Sequence, residues 1–390
     1  MEKQKKIPQL RFPEFEGEWE KNILNDTCTI IGGGTPNSGK EEFWNGHIQW
    51  FTPTEIKMDY VSKSERTITE LGLKKSSANF LPKGTILLTS RATIGEVAIA
   101  LNECTTNQGF QSLIVNKLYN NLFIFNWIKN NRYEFVRRAN GSTFLEISKS
   151  EIGKIPIYIP TLPEQQKIAS FFTAIDQNIS QLTRKKTLLE QYKKGVMQKI
   201  FSQEIRFKDD NGQEFPKWEN RKIRELFRVT RGNVLAANNL KLEKELTFCY
   251  PVYSSQTTNN GLLGYYSDYL FEDCITWTTD GANAGDVNYR KGKFYCTNVC
   301  GVLESKEGFA NQCVAEILNS IARKHVAYVG NPKLMNNVMA GIEINIPMSV
   351  AEQTKIANFL SAIDVKINHT QKQIEKAEVW KKGLMQQMFV

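Results

Sequence analysis

A thirteen-residue segment occurs twice in this 390-residue chain. EQQKIASFFTAID at Glu164–Asp176 returns 188 residues later as EQTKIANFLSAID at Glu352–Asp364, and nine of the thirteen positions are identical. A repeat at nearly half the chain length indicates two related halves, so a single-domain fold is a poor description of the sequence.

Both copies continue as heptad patterns, with apolar residues at alternating steps of four and three. These residues form one apolar stripe on each predicted helix, called the seam. The seam residues are Ile168, Phe172, Ile175, Ile179, Leu182, Leu189, Val196 and Ile200, then Ile356, Leu360, Ile363, Ile367, Ile374, Leu384 and Met388. Neither run contains proline, and each begins at an acidic residue, which suits a helix N-terminus. The pattern predicts two helices of about 38 residues, each about 57 Å long.

The seams are imperfect, because Lys186, Lys193 and Lys381 fall on them. Burying lysines there would be costly, so part of the seam is expected to be open or to contact another protein. Gly195 and Gly383 occupy equivalent positions after paired lysines. They predict either close approach of another backbone or fraying of the helix ends.

The text between the helices consists of short alternating apolar runs broken by Gly, Asn and Pro, which favours an α+β class. ILLTSRATIGEVAIA at Ile86–Ala100 is echoed by ITWTTDGANAGDVNY at Ile275–Tyr289. The predicted order is globule, helix, globule, helix. The segments are 1–160, 161–201, 202–347 and 348–390.

Composition limits the partners and the compartment. The net charge is +9, from 50 Lys and Arg against 41 Asp and Glu, which is compatible with a phosphate-bearing partner without requiring one. No run approaches the roughly 18–20 apolar residues of a membrane helix, and the start lacks the apolar core of a signal peptide. The sequence therefore predicts a cytoplasmic protein that does not bind membranes. The seven cysteines are expected to be buried thiols, and no metal site is predicted.

Two segments partly match catalytic motifs but lack residues that the chemistry requires. GTPNSGK at Gly34–Lys40 fits the start of a phosphate-binding loop, but Glu41 stands where Ser or Thr would hold magnesium. NPKL at Asn331–Leu334 lacks the second proline and the aromatic residue of an adenine methyltransferase motif. With no catalytic residues identified, we predict a binding protein and not an enzyme.

The layout resembles the specificity subunit of a type I restriction–modification system. LPEQQKIASFFTAID with KKGVMQKIF, and VAEQTKIANFLSAID with KKGLMQQMF, resemble that family's two conserved helical regions. LRFPEF at Leu10–Phe15, GGTPNS at Gly33–Ser38 and TSRATIGEVA at Thr89–Ala98 resemble its target-recognition domains. The second half departs from the pattern, because TTDGANAGDV at Thr278–Val287 replaces TSRATIGEV.

The resemblance implies two target-recognition domains joined by an antiparallel coiled coil with a pseudo-twofold internal repeat. Each domain would read one half of a bipartite, asymmetric target in double-stranded DNA. Two methylation subunits would dock on the repeated helices, and restriction (translocation) subunits would join for cleavage. The chain itself would bind no cofactor, whereas S-adenosylmethionine, ATP and Mg²⁺ would belong to the partner subunits.

The candidate DNA contacts are polar and basic residues of the globules, since arginine and lysine pair with guanine, and Asn and Gln with adenine. They are Arg91, Asn107 and Gln108 in the first half, with Arg137 and Arg138 on phosphates, and Asn283, Arg290, Asn298 and Lys333 in the second half. The candidate docking residues are Lys193, Lys194, Gly195, Lys381, Lys382 and Gly383. The alternatives are a non-catalytic coiled-coil scaffold whose globules bind proteins, and a self-contained DNA enzyme.

Overall fold

The computed structural model describes residues 6–141, 145–255, 258–305 and 307–390. The chain divides into two compact units. Unit 1 is Met1–Arg184 with Gln371–Val390, and unit 2 is Lys185–Thr370. Each unit therefore holds one globular part, called head 1 or head 2, and one half of each long helix. The predicted segments 1–160, 161–201, 202–347 and 348–390 stay predictions.

Unit 1 is built on three antiparallel or mixed sheets. Its strands are β1 (Glu20–Ile23), β2 (Cys28–Gly32), β3 (Trp44–Phe51), β4 (Tyr60–Val61), β5 (Arg66–Ile68), β6 (Ile86–Leu88), β7 (Val97–Ala100), β8 (Cys104–Thr106), β9 (Gln111–Val115) and β10 (Pro156–Ile159). The main sheet has the order β2-β9-β6-β7-β4; β5-β3-β8 form a second sheet, and β1 pairs with β10. Buried β-branched and aromatic residues dominate these strands, as expected for pleated surfaces that pack on both sides.

Short helices and the first long helix complete the elements that begin in unit 1. They are α1 (Leu24–Thr27), α2 (Glu70–Lys74), α3 (Asn121–Asn130), α4 (Arg132–Val136), α5 (Lys149–Gly153) and α6 (Leu162–Phe201). Asn120 is the N-cap of helix α3, and its side chain accepts a hydrogen bond from the Phe123 amide at 3.0 Å. This N-cap satisfies one of the free amides of the first turn and fixes where the helix starts.

Unit 2 carries a single large sheet and a two-stranded ribbon. Its strands are β11 (Glu219–Lys222), β12 (Arg228–Arg231), β13 (Tyr250–Tyr253), β14 (Leu262–Tyr266), β15 (Phe271–Thr278), β16 (Val287–Cys296), β17 (Cys300–Glu304) and β18 (Glu343–Ile346). The sheet order is β12-β17-β15-β16-β13-β14, and β11 pairs with β18. Its helices are α7 (Ile223–Leu226), α8 (Gln312–Ala322) and α9 (Asn336–Gly341). The second long helix, α10, runs Val350–Met388.

Each long helix starts against its head through the same buried hub. Glu164, 1% exposed, accepts hydrogen bonds from Arg11 at 2.7 and 2.8 Å and from the Trp19 indole at 3.3 Å. In unit 2, Glu352, also 1% exposed, accepts from Arg206 at 3.2 Å and from Trp218 at 3.1 Å. The charge of each carboxylate is thus paired where burial would otherwise penalise it.

The two long helices pack together inside each unit. In unit 1, Phe172 stacks on Phe389 with ring centroids 5.9 Å apart, and Asp176, further along α6, pairs with Lys381, earlier in α10. The helices therefore run antiparallel there. In unit 2, Lys193 pairs with Asp364 at 2.9 Å, which is the same ion pair after a shift of 188 residues. The predicted α+β class with two long packed helices is confirmed.

Candidate nucleic-acid interface

Three loops meet at one edge of head 1: the turn after β2, the β6–β7 loop and the β8–β9 loop. The Gly34 amide donates to the Thr106 carbonyl at 2.9 Å, and the Ser90 amide donates to the Gly109 carbonyl at 2.7 Å. A Cβ at Gly33 would lie 1.9 Å from the Asn107 carbonyl oxygen, so only glycine allows this approach. The GGTPNS and TSRATIGEVA segments thus form one surface, called loop edge 1.

Three predicted DNA contacts of head 1 come together on loop edge 1. Gln108 is exposed and accepts a hydrogen bond from the Thr35 hydroxyl. Asn107 is half-buried, and its Oδ1 accepts from the Gly109 amide at 2.8 Å, so it shapes the turn. Arg91 is about half-exposed and pairs with Glu146 at 2.9 Å.

Arg137 and Arg138 lie elsewhere, just after α4. Arg137 pairs with Glu134 at 2.6 Å, and Arg138 lies 3.6 Å from the same carboxylate. The hydrogen bonds that Arg137 donates to the Glu134 carboxylate raise the pKa of Arg137. The structure therefore does not bring these two arginines onto loop edge 1, and their predicted phosphate contacts stay predictions.

Head 2 repeats the same edge with different side chains. The Thr279 amide donates to the Val299 carbonyl at 3.0 Å, and the Leu334 amide donates to the Thr279 carbonyl at 2.8 Å. These bonds match Ser90 to Gly109 and Ile147 to Ser90 in head 1. The surface, called loop edge 2, carries three predicted contacts, which are Asn283, Asn298 and Lys333.

Within loop edge 2 the three side chains differ in freedom. Asn298 is exposed in the β16–β17 turn. Asn283 is half-buried, and its amide donates to the Ser255 carbonyl at 3.3 Å. Lys333 is 51% exposed and lies 3.7 Å from Asp280. The fourth prediction, Arg290, lies below this edge in the sheet, only 6% exposed.

The cross-strand ion pair changes sign between the heads. Arg91 and Glu146 form an isolated antiparallel bridge, and Asp280 and Lys333 form the matching bridge in head 2. The cation thus sits on the β6–β7 loop in head 1 but on the facing segment in head 2. Head 2 has no arginine at the position that matches Arg91. Its cation is Lys333, on the other side of the pair.

A second repeated pair supports each loop and was not singled out from the sequence. Arg132 pairs with Glu96 at 2.8 Å, and Arg323 pairs with Asp286. Each acid follows a glycine with positive φ, Gly95 or Gly285, that ends the loop turn. The glycine–acid pairs in TIGEV and NAGDV are the visible signal in the sequence, but the arginines lie far along the chain, at the start of α4 and just after α8.

The predicted docking residues separate into two groups. Lys193 pairs with Asp364 and with Glu316, and Lys381, 9% exposed, pairs with Asp176. Burial by itself would lower the pKa of Lys193, but the hydrogen bonds and negative charges of Asp364 and Glu316 together raise it. Lys194 and Lys382 are exposed beside Gly195 and Gly383. Beyond the adjacent residues of its own helix, no atom of the described chain lies within 4 Å of a Cβ placed at either glycine. The chain's own backbone therefore does not provide the expected close approach.

An exposed aromatic precedes each of these lysine pairs. Tyr192 is 53% exposed and Trp380 is 54% exposed, at positions 188 residues apart. Half-exposed large rings at the same place in both copies are typical of contact surfaces. The Trp380 ring also packs edge-on against Phe171, with ring centroids 6.2 Å apart. We call Tyr192, Lys194 and Gly195, with Trp380, Lys382 and Gly383, the helix patches. Sequence reasoning missed the aromatics because Tyr and Trp are not identical in the repeat.

GTPNSGK does not form a nucleotide-binding loop in the structure. The segment leads into one turn of 3₁₀ helix, Glu41–Phe43, and Lys40 lies 4.0 Å from Glu42. A Cβ at Gly34 would meet the Ser77 backbone at 2.3 Å, so this glycine serves packing. Within the part of the chain that the structure describes, no helix has the length and apolarity to cross a membrane.

The duplicated loop edges and helices agree with comparisons to known proteins. The family model for the type I restriction modification DNA specificity domain matches residues 16–191 and again residues 216–379. The chain therefore belongs to the type I restriction–modification specificity subunit family, as its motifs predicted.

Individual relatives span most of the chain. The type I restriction enzyme MjaIX specificity subunit of Methanocaldococcus jannaschii is 31% identical over 313 residues, which cover 74% of this chain and 72% of that protein. The EcoprrI specificity subunit of Escherichia coli is 24% identical over 369 residues, covering 90% and 89%. The crystal structure of a type I system S subunit from M. genitalium matches with a TM-score of 0.63 at 17% identity, covering 98% and 99%, which supports the fold.

Proposed function

We propose that this chain is the DNA-reading subunit of a type I restriction–modification complex, and that each head reads one half of a bipartite, asymmetric target. The observation that carries the proposal is the recurrence of one loop framework in both heads with different side chains on it. A duplicated frame gives two equivalent approaches to DNA, and divergent side chains give two different half-sites.

On loop edge 1 the reading groups are Arg91 and Gln108, with Asn107 holding the turn. On loop edge 2 they are Asn298 and Lys333, with Asn283 holding its loop. Arg137 and Arg138 are assigned to phosphates. A half-exposed ion pair such as Arg91–Glu146 contributes little stability, so the cation can exchange its carboxylate for a base edge or a phosphate at small cost.

The helix patches are proposed to dock two methylation subunits, one for each copy. Two copies of one partner need two copies of one surface, which explains why the helices agree more closely than the heads. Lys193 and Lys381 act inside the chain, where they hold the helices together. The partner-facing groups are Tyr192 and Lys194 in one patch and Trp380 and Lys382 in the other.

In this assembly the chain performs no chemistry. Adenine methylation with S-adenosylmethionine, and ATP- and Mg²⁺-dependent translocation and cleavage, belong to the methylation and restriction subunits. The purified chain is expected neither to methylate DNA nor to hydrolyse ATP, and Lys40→Ala is expected to leave both complex activities intact.

Genome-wide mapping of methylated adenine, with and without this gene, tests the proposal. Deletion should remove methylation from one motif with two specific halves separated by unread positions, and a plasmid copy should restore it. A protein-binding scaffold would leave the methylation pattern unchanged. Binding of the chain to DNA should also weaken steeply as salt rises, which a scaffold would not show.

A further inference from the structure

Head 2 contains a polar cavity at positions that are apolar core in head 1. It measures about 190 Å³. Its lining comprises Ser254, Asn260, Gly261, Thr278, Asp286, Val287, Asn288, Arg290 and Asn319. Thr278 and Asp286 belong to loop edge 2, so the cavity opens beside the surface assigned to DNA.

The matching positions in head 1 are apolar core. Leu87 faces Ala98 across the β6–β7 ladder, and Thr276 faces Asn288 at the same point of the β15–β16 ladder. Two residues further along the strand from Ala98 and Asn288 lie Ala100 and Arg290. Leu87, Ala98 and Ala100 are at most 1% exposed and pack in one hydrophobic cluster. Three apolar positions of one head are therefore threonine, asparagine and arginine in the other.

Arg290 is a buried cation held in place without an acid. Its Nε donates to the Thr276 hydroxyl at 3.1 Å, and another guanidinium nitrogen donates to the Asn260 carbonyl at 2.8 Å. Its guanidinium lies 3.8 Å from the centre of the Tyr253 ring. Among the ion pairs of the described residues, none includes Arg290, although Asp286 also lines the cavity; Asp286 is bound by Arg323.

Such a cation is costly unless a negative group reaches it. Desolvation lowers the pKa of Arg290, yet a guanidinium stays protonated at neutral pH, so the positive charge persists. Asn319 also lines the cavity. The Asn319 Oδ1 accepts from the Val287 amide at 3.0 Å, which leaves its amide nitrogen as a donor.

We propose that the Arg290 cavity is an oxyanion site that holds one backbone phosphate of the DNA bound to head 2. The inference rests on the proposed DNA-reading function and gives head 2 an anchor at positions that are apolar core in head 1. Fixed donors around a pre-positioned guanidinium suit a phosphate because its oxygens accept several charge-assisted hydrogen bonds.

Binding of the full chain to a duplex of arbitrary sequence, measured over a range of salt, tests the phosphate contact. Arg290→Gln should make the slope of log K against log salt shallower, by the amount that corresponds to the loss of about one phosphate contact. Asn288→Asp should do the same, since its carboxylate gives Arg290 an internal partner, and this variant removes no buried cation and should fold. The matched control is Lys291→Gln, next on the strand and exposed, which should retain the wild-type slope.

Thermal unfolding in inorganic phosphate, against chloride of equal ionic strength, tests the cavity without DNA. The wild type should be stabilised by phosphate more than either cavity variant. If phosphate stabilises the wild type more than the cavity variants, but the variants keep the wild-type salt slope for DNA binding, the cavity is an oxyanion site for free phosphate and not for DNA. Wild-type slopes and an equal phosphate response in Arg290→Gln and Asn288→Asp would overturn the proposal. Failure of the wild-type chain to bind any duplex would instead count against the proposed function.

Discussion

Glu164 in unit 1 and Glu352 in unit 2 accept hydrogen bonds from the same two kinds of partner, an arginine and a tryptophan. Arg91 and Asp280, at matching loop positions, carry opposite charges. The base of each head is thus repeated, whereas the side chains of the loop edge have diverged on loops whose backbone hydrogen bonds recur. We infer that folding constrains the base of each head, while under the proposed function the edge varies with the DNA sequence that it reads.

The buried hubs give the largest expected effect. Glu164→Ala leaves Arg11 beside an empty site and should lower the free energy of unfolding by about 3–5 kcal/mol. Glu352→Ala should cost less, since Arg206 bonds Glu352 at 3.2 and 3.3 Å and Arg11 bonds Glu164 at 2.7 and 2.8 Å. Urea unfolding of the two variants, with Glu164→Gln as the shape-matched control, measures the difference. If both alanine variants were as stable as the wild type, the hubs would not be what holds each long helix to its head.

The sign-reversed pairs give the next effect. Arg91→Ala and Lys333→Ala should each weaken binding to a duplex that contains the motif found by methylation mapping. The expected loss is about 1–3 kcal/mol if the cation contacts a base. Asp280→Ala, at the position of Arg91, should not weaken binding, because it removes a carboxylate from the DNA-facing edge. Titrations with target and scrambled duplexes distinguish the variants. A loss with Asp280→Ala as large as that with Arg91→Ala would break the proposed correspondence.

The helix patches should separate assembly from stability. Tyr192→Ala with Lys194→Ala, or Trp380→Ala with Lys382→Ala, should reduce co-purification of methylation subunits from two copies toward one. The first double variant should keep the melting temperature of the chain, whereas the second also loses the edge-on contact between Trp380 and Phe171. Lys381→Ala is the contrasting control, because it breaks the internal pair with Asp176 and should lower stability. Two bound subunits in both double variants would exclude the patches as docking sites.

The smallest expected effect comes from alkaline pH. Burial raises the pKa of Cys28 to about 11 and of Cys104 to about 12 in unit 1, and of Cys274 and Cys300 to about 11 in unit 2, where it also raises those of Cys296 and Cys313. Thiols that ionise near 9 when unfolded stabilise the fold below that pH and lose this contribution as pH rises toward 11–12. Unit 2, with more buried thiols, should therefore open first above pH 9. Hydrogen exchange at pH 7 and pH 9.5, corrected for the intrinsic rate, would show the order, and earlier opening of unit 1 would contradict it.

The sequence predicted what depends on local period and on the repeat. The seams at Ile168 and Ile356, the long helices and the two-part layout follow from spacing alone. Lys193 and Lys381 were recognised as seam residues, but their acidic partners lie 171 and 205 residues away, so the ion pairs required the fold. Arg290 reads as one polar residue in an alternating strand, and its burial became visible only once Thr276 and Tyr253 were placed around it.

The most direct test exchanges one head and maps the methylated motif. Residues 1–160 are replaced by the corresponding head of a relative, and the hybrid is first shown to fold and to bind its methylation subunits. If each head reads its own half-site, one half of the motif changes and the half read by residues 202–347 persists. A hybrid that is assembled and active, yet methylates a motif altered in both halves, would contradict independent reading by the two heads.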